Sequence, residues 1–337
     1  MAAPTMALQT HQAVGNREDL EDVIYSISPT ETPFMTMAGR VNASAVLHEW
    51  QTDALSAAAV NRNIEGDDAS GGTAVPTSRL GNYCQIGAKY AVVSDTQQAV
   101  DKAGRASEMS YQVAKRLGEL KRDMEWALTR NGGSSAGSAT TARGTAGVES
   151  WLTNPTGASM VGNSTDIGVA VSAASTSSTT PGWTSGGSIL APTDATSNGT
   201  FVVGNLKAVI KACWTAGGNP GIIMCGPVTK QTISGFAGIA TLYREAGSTA
   251  KGTAIVGAAD IYISDFGEHR VVPNRFSRDQ TCLVLDMDYW KVGYLRKVSQ
   301  KEIARTGASI KRFIDVEFCL VASNPQSSGK IANILSA

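Results

Sequence analysis

The clearest pattern in the chain is a run of apolar positions between Asp95 and Asn131 that recur every three or four residues. This spacing lines up apolar side chains on one face of a helix and leaves the charged residues on the other faces. The positions are Val113, Leu117, Leu120, Met124 and Leu128. With Asp95 as N-cap and Asn131-Gly132-Gly133 as the stop, the run predicts one helix over 95–131, about 50 Å long. We expect it to be a strut on which sheets and neighbouring subunits rest.

A second pattern, with period two, occurs near the end of the chain in RFIDVEFCLV. Ile314, Val316, Phe318 and Leu320 face one way, whereas Asp315 and Glu317 face the other. Trp290, Val292 and Tyr294 alternate in the same manner just before it. These patterns predict half-buried antiparallel strands that cover the apolar stripe of the long helix. The tail from Ser323 onward is expected to be short, polar and peripheral.

Residues 201–290 predict a compact lobe of strands and helices. A helix stripe ends at Gly217-Gly218, the buried strand GIIMC follows, and a second helix starts with Pro227 in its first turn. The strands AIVGAADIYISDF, HRVVP and CLVLD come next. This order indicates a compact α/β or α+β lobe, and for the whole chain we expect the α+β class.

The N-terminal part contains segments that need an external surface. Residues 1–16 are expected to be a mobile arm, and residues 20–27 a short amphipathic helix. Phe34, Met35 and Met37 follow without a helical or strand period, so they need either the body of the chain or a neighbour to pack on. In 41–92, the strand-like VLHEW and YCQIGAKYAVV flank the polar GDDASGGTAVP, which predicts a long hairpin that reaches away from the body.

Residues 132–200 are dominated by Ser, Thr, Gly and Ala. Few large apolar residues interrupt them, so this composition predicts surface loops with short strands.

The charge of the chain balances overall but not locally. The 337 residues include 29 Lys and Arg and 29 Asp and Glu. Residues 1–100 carry 5 basic and 11 acidic residues, whereas 201–337 carry 16 basic and 10 acidic residues. This asymmetry favours complementary contacts between copies, with uneven surface charge of no consequence as the alternative.

Membrane insertion and secretion are not expected. No run of 18 apolar residues occurs, and the N-terminus lacks the basic and apolar regions of a secretory signal. The cysteines are odd in number and far apart, so we expect buried reduced thiols rather than disulfides or zinc ligands. They are Cys84, Cys213, Cys225, Cys282 and Cys319.

No stretch assembles a catalytic, cofactor or metal site. Residues 133–137 fit Gly-x-Ser-x-Gly, but a helix precedes them where a nucleophile elbow needs a strand. His269 is expected to be a surface residue, with an unpartnered general base as the alternative. Asp286 and Asp288 are expected to be turn formers, with a site for a hard cation as the alternative. No phosphate-binding loop, dinucleotide fingerprint or aromatic-interleaved basic patch is present. We therefore expect neither an enzyme nor a cofactor, but a protein that packs against copies of itself.

Four stretches in order carry a resemblance to a known family. They are NREDLEDVIYSISPTETPFM, MEWALTRNG followed by TARGTAGVESWL, CWTAGGNPGIIMCGPVTKQTISGF, and IYISDFGEHRVVPNRF. Together they resemble one group of tailed-phage major capsid proteins, which are built on the Hong Kong 97 fold. The likeness covers residues from about 16 to 325 and is weakest across 150–200.

The resemblance implies a division of the chain into the parts of that fold. These parts are an N-terminal arm (1–40), an extended loop on an adjacent subunit (41–92), a peripheral domain with the spine helix (93–147), an insertion (148–200), an axial domain (201–290), and peripheral strands with a C-terminal tail (291–337). The loop around 238–252 would then lie near the hexamer or pentamer axis.

The resemblance also implies partners. These are other copies in hexamers and pentamers, a portal, a cement or decoration protein, and packaged double-stranded DNA held without sequence recognition. Because only about 15 residues precede the part of the arm that carries the resemblance, scaffolding is expected from a separate protein. No lysine occurs between Val41 and Ala88, so a covalent cross-link donated by the loop tip is not expected. The protein would assemble in the host cytoplasm and reside in the virion shell.

Specific residues follow as candidates for contacts between subunits. Phe34, Met35, Met37 and Trp50 are candidate apolar anchors. Glu65, Asp67 and Asp68 are candidate acidic partners for the basic residues Arg270, Arg275 and Arg278 of another copy. The alternatives are another virion protein of the tail or decoration type, a hydrolase that uses the Ser135 loop, and a monomeric ligand-binding module.

Overall fold

The computed structural model describes residues 28–53, 55, 58–62, 64–66, 76–102, 104–152, 182–183, 189–192, 199–236 and 260–334. Its helices are α1 (Pro33–Met37), α2 (Asp95–Ala99), α3 (Glu108–Thr129), α4 (Val148–Trp151), α5 (Val203–Thr215) and α6 (Pro227–Ser234). Its strands are β1 (Gly39–Asn42), β2 (Leu47–Thr52), β3 (Ser78–Tyr83), β4 (Gln85–Ser94), β5 (Gly182–Trp183), β6 (Ile189–Leu190), β7 (Ile222–Cys225), β8 (Ile261–Ser264), β9 (Gly267–Pro273), β10 (Cys282–Leu285), β11 (Trp290–Ile303), β12 (Ser309–Ala322) and β13 (Gly329–Ile331). The helix expected at 20–27 lies outside the described residues.

A four-stranded sheet with α3 packed on it forms the first lobe, which we call the helix–sheet lobe. Its strand order is β1-β11-β12-β4, with β1 parallel to β11 and the other pairs antiparallel. From Ile314 to Ala322 β12 is buried on both faces, so the expected half-buried strand is wrong there, and Arg296 pairs with the buried Asp315 and Glu317. The packing of its period-two apolar face on the helix is confirmed, because the apolar residues of both elements share one buried cluster. Those residues are Val113, Leu120, Met124 and Leu128 on α3 and Ile314, Val316, Phe318 and Leu320 on β12.

The prediction of one helix over 95–131 is wrong in its first third. The chain forms α2, breaks, and starts again as α3, whose 22 residues span about 33 Å. Gly104 adopts φ +74°, a left-handed conformation that a helix cannot contain. Ser107 then caps α3 by accepting a hydrogen bond from the Ser110 N–H. The cap of α2 is Ser94 rather than the expected Asp95.

The second lobe, which we call the five-stranded lobe, contains a sheet of order β13-β10-β7-β9-β8. Helices α5 and α6 contribute to a separate buried cluster with this sheet, through residues such as Leu206, Ile210 and Ile233. Pro227 occupies the first turn of α6 as predicted. The sequence therefore predicted both helices and the strands β7, β9 and β10, whereas β8 covers only Ile261–Ser264 of the predicted run and β13 was not predicted.

The expected peripheral tail is instead part of the five-stranded lobe. Strand β13 pairs with β10, and Ile331 and Ile334 are buried in the same cluster as α5. Lys330 is also buried, and its ammonium group donates to the Glu149 carbonyl at 3.2 Å. Strand β13 has only three residues, too few for an alternation of apolar and polar positions to be visible in the sequence. Only its pairing with β10 defines it as a strand.

The predicted hairpin over 41–92 is shorter than expected. Strands β2 and β3 pair from Leu47 opposite Tyr83 to Thr52 opposite Ser78. The chain then leaves this pair at Cys84, and β4 joins the edge of the four-stranded sheet. Residues 39–42 likewise belong to that sheet as β1. The hairpin, which we call the projecting hairpin, thus has its paired strands at 47–52 and 78–83, because YCQIGAKYAVV is divided between β3 and β4. The tip expected at 67–75 lies outside the described residues.

The start of the expected insertion at 148–200 lies inside the core. Val148, Trp151 and Leu152 on and after α4 are fully buried, and so is Ile189. Gly147 approaches α3 so closely that an added Cβ would lie 2.0 Å from the Arg130 carbonyl oxygen. The Ser- and Thr-rich residues between 153 and 181 lie outside the described residues.

His269 is buried, contrary to the surface position expected for it. Its Nδ1–H donates to the Pro220 carbonyl, so its Nε2 is free to accept a hydrogen bond from the Ser264 hydroxyl at 2.7 Å. The ring stacks on Tyr262. Burial lowers the pKa of His269 below its ordinary value, although the hydrogen bond to Pro220 opposes this change.

This lowered pKa predicts a pH dependence of stability. Below pH about 6.5 the unfolded chain takes up a proton at His269 that the folded chain does not. The free energy of unfolding therefore decreases as the pH is lowered. We expect the free energy of unfolding to drop between pH 7.5 and 5.5 by about 1 kcal/mol more in the natural protein than in His269→Gln. Urea unfolding at both pH values measures this difference. Equal drops in the two proteins would contradict the prediction.

Candidate interaction surfaces

The projecting hairpin carries large apolar side chains that the chain itself does not cover. Leu55 is 99% exposed, Val60 81% and Ile64 80%. All three follow β2 in the chain and precede residues 67–75, where the sequence predicts the hairpin tip. Isolated exposed apolar residues are common, but three in ten residues of one projecting segment indicate a contact surface.

The predicted apolar anchors lie against their own chain. Phe34 is fully buried, and its ring meets Trp290 edge to face with centroids 6.5 Å apart. Met35 and Met37 are partly buried on the same cluster. Trp50 packs on Trp151 with ring centroids 5.5 Å apart. For Phe34 the prediction of an intersubunit anchor is wrong, because the body of its own chain fills the role of partner.

A buried carboxylate explains why Phe34 packs inward. Glu125 of α3 accepts hydrogen bonds from the backbone N–H groups of Phe34 at 2.8 Å and Met35 at 2.9 Å. These are free donors at the first turn of α1, so Glu125 caps that helix from another element. The Asn274 side-chain amide donates to the same carboxylate at 2.7 Å. Burial raises the pKa of Glu125, and the three hydrogen bonds oppose that shift.

Glu125 is part of a joint between the two lobes. Residues 274–278, which follow β9, lie along α3: the Arg130 Nε–H donates to the Phe276 carbonyl at 3.0 Å, and the Arg122 guanidinium lies 5.8 Å from the Phe276 ring centroid. Arg278 forms a two-pronged ion pair with buried Glu149, with distances of 3.1 and 2.7 Å. The joint thus ties the arm exit, α3, α4 and the five-stranded lobe together. The spacing of apolar residues in the sequence could not predict this joint, because the joint consists of polar contacts between distant segments.

The candidate charged residues have different surroundings. Glu65, Arg270 and Arg275 are exposed, as a contact with another copy requires. Arg278 is engaged by Glu149 of its own chain, so its prediction as an intersubunit partner is wrong. Asp67 and Asp68 lie outside the described residues.

Two further apolar surfaces were missed at the sequence level. On β4, at one edge of the four-stranded sheet, Ile86, Tyr90 and Val92 point away from α3 and are exposed. On β8, at the edge of the five-stranded sheet, Ile261 and Ile263 are exposed. The alternation of IGAKYAVV carries the signal for the first surface, but it was assigned to the hairpin.

The residues considered for chemistry have structural roles. Ser135 forms a β-bridge with Gly144, and its hydroxyl accepts from the Gly137 N–H at 3.2 Å. Helix α3 precedes this loop, so it lacks the strand of a nucleophile elbow. Asp286 caps a turn by accepting from the Asp288 N–H, as predicted. None of the helices described here has the length and apolar composition to cross a membrane.

Solved structures show which class of fold this is. The chain is similar to the capsid protein of cyanophage A-1(L), with TM-score 0.69 and 14% identity over 97% of this chain and 98% of that one. It is also similar to a chain in a structure of phage G major capsid proteins and decoration proteins, with TM-score 0.51 and 13% identity over 96% and 99% of the two chains. The protein therefore has the Hong Kong 97 fold of phage capsid proteins, with mixed helix and sheet content.

The sequence comparison narrows this class to a family. The model of the SU10 major capsid protein family matches residues 6–335. The major capsid protein of Escherichia phage Phieco32 is 36% identical over 126 residues, a match that spans about a third of each protein (37% of this chain and 36% of the relative). This chain belongs to the SU10 major capsid protein family. The resemblance inferred from the four sequence stretches is thus confirmed.

Proposed function

We propose that this major capsid protein assembles into hexamers and pentamers of an icosahedral phage head that encloses double-stranded DNA. The observation that carries the proposal is the projecting hairpin, whose Leu55, Val60 and Ile64 are almost fully exposed in the single chain. Burying one such side chain contributes about 1.5–3 kcal/mol, so a neighbour that covers all three gains several kcal/mol per contact.

The arm (1–40) and the extended loop are proposed to hold neighbouring subunits without covalent bonds. Glu125 and Phe34 fix where the arm leaves the body, so the residues before it start from a defined point. Met35, Met37 and Trp50, which are partly buried, keep some surface for a neighbour. The exposed faces of β4 and β8 offer two more apolar contacts between copies.

Charge complementarity is proposed to orient these contacts. Glu65, with Asp67 and Asp68 beside it in the sequence, would face Arg270 and Arg275 of another copy. Pairs of exposed charges contribute little energy each, but they steer association and reject wrong registers. Arg278 drops out of this proposal because Glu149 holds it.

The two lobes are proposed to take the places of the peripheral and axial domains. The helix–sheet lobe with α3 as spine would form the periphery of each capsomer. The five-stranded lobe would face its axis, with the loop around 238–252 nearest that axis. The C-terminal residues 329–334 would belong to the axial domain, because β13 pairs there.

The proposal includes partners and a location beyond the shell itself. Scaffolding would come from a separate protein, a portal would occupy one vertex, and a decoration protein would bind the outside, as the phage G structure includes such proteins. The packaged DNA would be held without sequence recognition. The role is structural rather than catalytic, and assembly would take place in the host cytoplasm.

Sedimentation and negative-stain imaging of the purified protein test this function, with and without a co-expressed scaffolding protein. We expect capsomer rings or closed shells of many copies. A monodisperse monomer of 35.1 kDa under every condition would contradict the proposal.

A further inference from the structure

Two buried cysteines meet where the projecting hairpin joins the body. Cys84 lies between β3 and β4, and Cys319 lies on β12. In the antiparallel register Phe318 pairs with Gln85, so the next step along both strands places Cys319 opposite Cys84. Both side chains are fully buried, in a small cluster with Ala43 and Val321.

The two thiols lie in the same small buried cluster. The Cys84 thiol donates a hydrogen bond to the Ala45 carbonyl at 3.6 Å. Gly293 of β11 leaves the space for the Cys319 side chain, because a Cβ there would lie 2.8 Å from the Cys319 sulfur. Directly opposed residues of antiparallel strands have Cα atoms about 4.5–5.5 Å apart, within the range that a disulfide bridges.

The surroundings make Cys84 the more reactive of the two sulfurs. The neighbouring Cys319 side chain lowers the pKa of Cys84 and the charge of Arg143 adds to this effect, whereas burial and the charge of Glu317 oppose it. Elsewhere burial raises the pKa of Cys225 to about 12 and raises that of Cys282 as well. The thiolate, which is the form that reacts with oxidants, is therefore favoured at Cys84 over those cysteines.

We propose that Cys84 and Cys319 are an oxidation site that closes to an intrachain disulfide when the protein meets a peroxide. The Cys84 thiolate attacks one peroxide oxygen, the O–O bond breaks, hydroxide leaves, and a sulfenic acid forms on Cys84. The Cys319 sulfur then attacks the Cys84 sulfur, the S–O bond breaks, and the Cys319 proton leaves with the hydroxyl as water. The two thiols supply the two electrons that reduce the peroxide.

The bond would lock the base of the hairpin. Asn82, two residues before Cys84, already donates to the Leu320 carbonyl at 2.8 Å and accepts from the Ala146 N–H at 3.0 Å. A disulfide adjacent to these hydrogen bonds would fix the hairpin to β12 and close a chain loop of more than 200 residues. Long loops give large entropic stabilisation, so we expect the thermal midpoint to rise by about 5 °C.

The test treats the purified full-length protein with hydrogen peroxide, alkylates the remaining thiols in denaturant, and maps disulfides by mass spectrometry. We expect one peptide pair joined through Cys84 and Cys319, and a raised midpoint that a reducing agent reverses. Cys84→Ser and Cys319→Ser should abolish both effects, whereas Cys225→Ser should keep them. Circular dichroism verifies that each variant folds before oxidation, and Cys84→Ala and Cys319→Ala replace any serine variant that does not.

Three results would overturn the proposal. The first is full alkylation of Cys84 and Cys319 after peroxide treatment. The second is a disulfide between Cys225 and Cys282, which also oppose each other in register on β7 and β10, in place of the expected one. The third is a disulfide between copies. The proposal concerns the single chain, so failure of shell assembly would not affect it.

Discussion

Replacing Leu55, Val60 and Ile64 together by serine is expected to abolish assembly while the subunit stays folded. The three side chains are 99%, 81% and 80% exposed, so the single chain loses almost no packing when they change. In an assembled shell each would be buried by a neighbour, and each substitution would forfeit about 1.5–3 kcal/mol of contact. Summed over three positions, this is a weakening of at least a thousandfold per contact. Sedimentation velocity measures the remaining assembly.

A matched control separates loss of apolar surface from disturbance of the loop. Leu55→Met, Val60→Ile and Ile64→Val in one chain alter the same positions but keep them apolar, and this variant should assemble like the natural protein. The thermal midpoints of both triple variants should lie close to that of the natural subunit. Normal shells from the serine variant would show that the hairpin does not carry the contact.

Replacing Glu125 by alanine is expected to destabilise the subunit more than any other single carboxylate change on α3. The substitution leaves the N–H groups of Phe34 and Met35 and the Asn274 amide without their acceptor. Each unsatisfied buried donor costs about 1–3 kcal/mol. The variant no longer has to bury a carboxylate, and this gain offsets part of the total cost. We expect a net loss of about 2–4 kcal/mol in the free energy of unfolding.

The control for this change is Glu119→Ala on the same helix. Glu119 pairs with Arg116 at the surface, so its loss should cost at most about 0.5 kcal/mol. Limited proteolysis adds a local readout: residues 28–37 should become cleavable in Glu125→Ala but not in Glu119→Ala. If the two variants unfolded at the same urea concentration, the joint described above would not hold the arm.

The sequence contained the local part of this fold. The three-and-four spacing from Val113 to Leu128 and the alternation from Ile314 to Leu320 are patterns within one element, and both elements form as predicted. The apolar runs GIIMC and CLVLD likewise predicted the strands β7 and β10. In each case the signal is a periodic or continuous apolar pattern within the element itself, so no distant partner has to be known.

The parts that failed depend on contacts between distant residues. Phe34 has no local period, and its burial follows from Glu125, which lies 91 positions further along the chain. Arg278 looked free because its partner Glu149 lies in a segment assigned to an insertion. The strand β13 is defined only by β10. Gly104 and Ser107 were the exception, because a glycine followed by a serine cap is a local signal of a helix break that the apolar stripe obscured.

The most direct test of the central claim is a photo-cross-link from the hairpin in assembled particles. A photoreactive phenylalanine analogue replaces Val60, the particles are irradiated, and denaturing electrophoresis with mass spectrometry identifies the partner peptide. The account predicts covalent dimers in the particles, and none in unassembled subunits irradiated in the same way. Cross-links confined to the monomer band of the assembled particles would contradict it, because the hairpin would then pack on its own chain.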